Sequence, residues 1–78
     1  MNMLFAETLK KLRMVKGLSQ NDIAKRVYVT KAAVSRWENG NRLPDAAMIT
    51  RLSEVLGMDV NVLLNAAAQA HRANIDIR

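Results

Sequence analysis

The chain has 78 residues, no cysteine, a single histidine and a net charge of +5. Disulfides and thiolate metal sites are excluded, and His71 by itself makes no zinc site, so no metal or cofactor is expected. No run approaches the roughly 18 apolar residues of a membrane span, and no basic stretch leading into an apolar core opens the chain, so one small cytoplasmic domain without membrane contact is expected.

Residues 3 to 16 read as the first helix, with Phe5, Leu9 and Leu12 on one face and Arg13 at its edge. Lys10 and Lys11 are expected to face solvent. Lys16, close to the next segment, either does the same or reaches a phosphate.

The chain is organised around Leu18 to Gly40, LSQNDIAKRVYVTKAAVSRWENG. Ser19 caps a second helix, with Asp22 three residues on as a shortened capping box. Ile23, Ala24 and Val27 form its inward face. Thr30 caps a third helix, and Asn39-Gly40 stops it. Val29, Ala33 and Trp37 recur every four residues with Val34 beside them, so one face belongs to a core and Trp37 is read as core rather than as a stacking platform. Lys31, Ala32, Ser35, Arg36 and Asn39 remain on the other face. A major groove admits an α-helix and offers base-edge acceptors to Arg and Lys, so the segment 30–39 reads as a recognition helix.

Residues 41 to 44 connect to a fourth helix, capped by Asp45 and carrying Met48, Ile49, Leu52, Val55 and Leu56 inward. Gly57 suits its C-terminus, with Met58 packing behind. Asp59 opens a fifth helix, in which Val60, Leu63, Leu64 and Ala67 face one way. The alanine-rich run Ala66 to Ala73 prolongs it. Asn74 to Arg78 alternate apolar and polar residues, a strand pattern; they form either a loose tail or a strand paired across a dimer or with another protein.

Charge is unevenly placed. Residues 1–51 hold ten Lys and Arg against Glu7, Asp22, Glu38 and Asp45, a net +6, whereas the remainder holds Arg72 and Arg78 against Glu54, Asp59 and Asp76, a net −1. The basic front implies an anionic partner, the ordinary alternative being a solvated cationic surface. Arg36 is the first candidate for sequence reading, since its guanidinium can hold guanine O6 and N7 together for about 1–3 kcal/mol of discrimination; a phosphate contact or plain surface exposure is the alternative. Lys31 can reach a guanine edge or a phosphate. Ala32 and Ser35 allow close approach, and the Ala32 methyl can meet that of thymine. Arg42 is a further phosphate candidate. The Tyr28 hydroxyl either meets a phosphate or only decorates the surface. There is no glycine-rich phosphate loop and no nucleophile beside a base, so an enzyme is not expected.

Leu12-Arg13, Gly17-Leu18-Ser19-Gln20, Ile23-Ala24, Val34-Ser35-Arg36-Trp37-Glu38-Asn39-Gly40, Leu43-Pro44 and Leu52-Ser53-Glu54-Val55-Leu56-Gly57 occur in one order. In this the chain resembles the lambda-type repressor and Cro family, the XRE-like helix-turn-helix regulators, over about residues 3 to 66. The resemblance implies an all-α, compact five-helix bundle with a helix-turn-helix at 1–66; beyond the family unit, helix propensity makes 67–78 an extension of helix five and a possible dimerisation segment. The resemblance further implies an ion pair between Arg13 and Glu38, a phosphate contact from Gln20, and bracing of the strand by Thr30 and Asn39. One position departs from the family: Tyr28 stands where glycine is usual, and a non-glycine residue in a left-handed conformation costs roughly 1–2 kcal/mol.

The function implied is a transcriptional repressor or regulator of bacterial or phage origin, binding a pseudo-palindromic operator on double-stranded DNA as a homodimer. The apolar stripe Val60, Leu63, Leu64 and Ala67 is the expected dimer interface, since it looks too long for one small core. Two other roles fit the same domain: an antitoxin whose C-terminal segment captures a toxin or other protein, and the controller of a restriction–modification operon.

Overall fold

The computed structural model describes the backbone of residues 3–76 and the side chains of residues 3–69. Its described residues form five α-helices, α1 (Met3–Val15), α2 (Gln20–Val27), α3 (Lys31–Glu38), α4 (Ala46–Leu56) and α5 (Val60–Asp76), with no strand among them. Each expected helix is present.

The helices start where side chains satisfy their free amides. Ser19 Oγ accepts from the Asp22 amide at 3.0 Å while Asp22 Oδ2 accepts from the Ser19 amide at 2.9 Å, the reciprocal box. Thr30 Oγ1 accepts from the Ala33 amide at 3.1 Å, and Asp45 Oδ1 from the Met48 amide at 2.8 Å. Gly57, at φ 66°, ends α4: its amide reaches Glu54 O, and the Met58 amide reaches Ser53 O at 3.0 Å.

All five helices bury one face together. Phe5 and Leu9 of α1, Ile23, Ala24 and Val27 of α2, Val34 and Trp37 of α3, Ile49, Leu52 and Leu56 of α4, and Leu63 and Ala66 of α5 form the core. Helix α1 packs on both α3 and α5, α2 on α3 and α4, and α4 on α5. Among the described residues, every buried side-chain nitrogen or oxygen has a hydrogen-bond partner. No helix among them is long and apolar enough to cross a membrane.

Two expectations about the C-terminal end are corrected. Helix α5 continues through Asn74, Ile75 and Asp76, so these three residues are not a strand; Ile77 and Arg78 lie outside the described residues. Adding a residue to an existing helix costs far less than starting a new element, so the alanine-rich run carries the helix through the alternating residues. Of the four residues expected at a dimer interface, Leu63 is fully buried inside this one chain, in the core that α5 shares with the other helices. Val60, Leu64 and Ala67 pack on the same core but stay half-buried.

Candidate nucleic-acid interface

The third helix is fixed at both ends. At its start the chain turns sharply from α2: Tyr28 adopts φ 61° and ψ 47°, the left-handed region, and donates its amide to Ala24 O. The Val29 amide reaches the same carbonyl at 3.0 Å, closing the turn. Glycine would be at ease there, and tyrosine is not. The residue is 88% exposed, so little packing offsets the strain. At the other end Asn39 caps α3 through its amide to Ser35 O, Gly40 takes φ 78°, and the Asn41 amide reaches Arg36 O at 3.0 Å.

A buried carboxylate fastens α3 to its neighbours. Glu38 Oε2 accepts from Arg13 Nε at 2.7 Å and Oε1 from Arg13 Nη2 at 3.0 Å, a two-pronged pair. The two side chains are only 12% and 2% exposed. Arg13 Nη1 goes on to the Leu18 carbonyl at 2.8 Å, so the same guanidinium also holds the loop before α2. The hydrogen bonds that Arg13 donates to Glu38 hold the Arg13 pKa above its ordinary value, against the opposing effect of burial. Gln20 Nε2 donates to Glu38 Oε1 at 3.1 Å, tying the first turn of α2 to the last turn of α3.

The face of α3 turned away from this anchor is open. Lys31, Ala32, Arg36 and Asn39 are exposed and Ser35 is half-buried, while Val34, Trp37 and Glu38 are buried behind them. Ala32, Arg36 and Asn39 therefore project from one side of a short, rigid helix. Thr30 is exposed at its N-terminus and Arg42 lies exposed just past its C-terminus. Gln20, half-buried, uses one N–H of its amide on Glu38 and keeps the other. Thr30 likewise keeps its hydroxyl proton, because capping uses only an oxygen lone pair. Each can still give a hydrogen to a phosphate oxygen.

Lys16 is placed differently from the rest. A Cβ on Gly57 would lie 3.4 Å from Lys16 Nζ, so this ammonium rests over the C-terminus of α4, where the helix dipole favours a cation. The bond from Gln20 to Glu38 left no trace in the sequence pattern, its partners being eighteen residues apart. That between Asn39 Nδ2 and Ser35 Oγ, at 3.3 Å, is signalled only by its spacing of four on a helix.

Two capped helices, the second braced through a buried ion pair and turned with its cationic face outward, define a helix-turn-helix DNA-binding domain. The helix-turn-helix family model HTH_3 matches residues 9–63, and the chain belongs to this family of XRE-like regulators. Its members are DNA-binding transcriptional regulators rather than enzymes. Among the relatives, the SPbeta prophage-derived HTH-type transcriptional regulator YonR of Bacillus subtilis is 38% identical over 61 residues, covering 78% of this chain and 56% of YonR. The HTH-type transcriptional activator BcrR of Enterococcus faecalis is 33% identical over 63 residues, covering 81% of this chain and 31% of BcrR. The chain thus spans from just under a third to just over half the length of these two relatives. The HTH-type transcriptional regulator YqaF of Bacillus subtilis is 30% identical over 66 residues, covering 85% of this chain and 87% of YqaF. In fold, the clp gene regulator ClgR of Corynebacterium glutamicum aligns with a TM-score of 0.77 at 22% identity, covering 97% of this chain and 84% of that one.

Proposed function

We propose that this chain represses transcription by occupying a promoter, binding a pseudo-palindromic operator as a homodimer with α3 in the major groove. The observation that carries the reading is the open face of α3, where Arg36, Lys31 and Ala32 stand exposed on a helix whose back is buried and whose end is anchored by Glu38. Arg36, Lys31, Ala32 and Ser35 read base edges; Gln20, Thr30, Asn39 and Arg42 hold phosphates on either side. The Lys16 ammonium, seated over α4, is the least committed to DNA of the phosphate candidates.

For the dimer, the half-buried flank of α5 formed by Val60, Leu64 and Ala67 supports pairing with a second copy about a two-fold axis. Such an axis sets two recognition helices roughly 34 Å apart, one turn of DNA. Leu64→Glu is expected to give a monomer in sedimentation equilibrium; a variant that stays dimeric moves the interface elsewhere. An unsubstituted chain that is itself monomeric would favour the antitoxin role, in which α5 awaits a different protein.

Genome-wide footprinting of the purified protein tests the whole reading. A protected palindrome over a promoter, with transcription rising when the protein is removed, is the expected result. Transcription falling instead makes the chain an activator, and a footprint in front of a methyltransferase or toxin gene assigns the controller or antitoxin role. If the dimer neutralises roughly 6–10 phosphates, affinity drops about 10³–10⁵-fold between 50 and 200 mM salt. An affinity flat over that range removes the DNA-binding reading.

A further inference from the structure

The described helical hydroxyls follow a habit that one residue breaks. Thr8, Thr50 and Ser53 each donate to the carbonyl four residues earlier, at 2.7, 3.1 and 2.9 Å. Their protons are thereby used within their own helices. Ser35 sits in mid-helix too, yet among the described hydrogen bonds it makes none to the Lys31 carbonyl. Its Oγ instead accepts from Asn39 Nδ2 at 3.3 Å, one turn further along the outward face.

A serine hydroxyl has one proton and two lone pairs, so it ordinarily offers a base edge either polarity. With Asn39 Nδ2 donating to it, one lone pair of the oxygen is taken, and the proton is left free to turn towards the groove. We infer that Asn39 biases Ser35 towards donating its proton to one base, making Asn39 a specificity-determining residue that acts through its neighbour. This rests on α3 lying in the major groove as proposed above. A donor there matches the acceptors O6 and N7 of guanine or O4 of thymine, and it is mismatched against the N4 amino group of cytosine. The preference at that base pair is therefore for guanine or thymine over cytosine.

The same pair makes the polarity reversible. Asn39→Asp replaces the amide donor by an acceptor, so the Ser35 proton turns back to the carboxylate and its lone pairs face the groove. Asn39 is exposed and caps α3 through its backbone amide, which the substitution keeps. Ser35→Ala raises helix propensity and removes the hydroxyl altogether.

The experiment is selection of bound duplexes from a pool with a randomised core, using the unsubstituted chain, Ser35→Ala and Asn39→Asp. Ser35→Ala is expected to flatten the preference at one base pair per half-site by about 2- to 10-fold, the range of one net hydrogen bond. Asn39→Asp is expected to reverse that same base pair from guanine or thymine towards cytosine, alongside any sequence-independent loss from the added negative charge. The inference is overturned if Asn39→Asp weakens all sequences alike, or if the base pair it changes is not the one that Ser35→Ala flattens. An unsubstituted chain that enriches no motif at all removes the DNA reading, and this inference with it.

Discussion

Gln20 is bonded to Glu38: its Nε2 lies 3.1 Å from Oε1, the same oxygen that Arg13 Nη2 holds at 3.0 Å. One buried carboxylate therefore joins the first helix, the entry to the second and the exit from the third. The side chain proposed above to hold DNA backbone is thus mounted on the group that fixes α3.

Removing Arg13 strands that carboxylate. Arg13→Ala is expected to destabilise the fold by about 3–5 kcal/mol, read from chemical denaturation, because Glu38 is left buried with only the Gln20 amide. Replacing both partners together by apolar residues, Arg13→Met with Glu38→Leu, is expected to cost far less than either single change. A double variant as unstable as Arg13→Ala would show that the ion pair does more than neutralise itself.

Gln20 and Arg36 are expected to separate on DNA. Gln20→Ala weakens binding to all sequences by a similar factor, since phosphates carry no base identity. Arg36→Ala costs about 1–3 kcal/mol on the operator and relaxes the preference at one base pair per half-site. Equal losses on operator and random DNA for Arg36→Ala would remove it from the reading set.

The turn at Tyr28 is strained, and the residue packs on little, being 88% exposed. Tyr28→Gly is expected to stabilise the protein by about 1 kcal/mol, since the left-handed penalty disappears and little packing is lost. For a domain of this size that raises the melting temperature by roughly 4–8 °C. A lower melting temperature would mean that the glycine's extra freedom in the unfolded chain outweighs the relief.

Asp22 gives the fold an acid-sensitive cap. Hydrogen bonds from the Ser19 backbone and hydroxyl hold its pKa below the ordinary 3.8. Its contribution is therefore complete above the unfolded value and is lost as the pH falls through the lower, folded one. Asp22→Asn is expected to flatten the acid limb of a stability–pH curve while leaving the curve's shape near neutrality unchanged. An acid limb identical in both proteins would place the sensitivity in another carboxylate.

The five helices were legible in the sequence because their punctuation is local. Ser19, Thr30 and Asp45 each cap within three residues, and Gly57 ends α4 by a conformation that only its own backbone needs. The left-handed turn was also readable, through the glycine that similar chains carry where this one has Tyr28. The C-terminal end was not. An apolar stripe on α5 looks the same whether neighbouring helices or a second copy cover it, and Leu63 is buried in this chain's own core. Alternation at Asn74 to Asp76 was outweighed by helix growth from upstream. Within the site, the residue types on the outward face of α3 follow from periodicity alone. The polar links that orient them, Gln20 to Glu38 and Asn39 to Ser35, depend on rotamers and on a packing angle that no linear pattern records.

The anchoring of α3 at both ends also has a thermodynamic consequence. A surface already held by the Thr30 cap, the Glu38 brace and the bonds from Asn39 and Asn41 has little left to order when it meets a duplex. Complex formation then lacks the large negative heat-capacity change that accompanies folding coupled to association. What remains to set the encounter rate is the pull of the basic front on the polyanion, so the rate of capture, more than the shape of the protein, responds to the ionic surroundings.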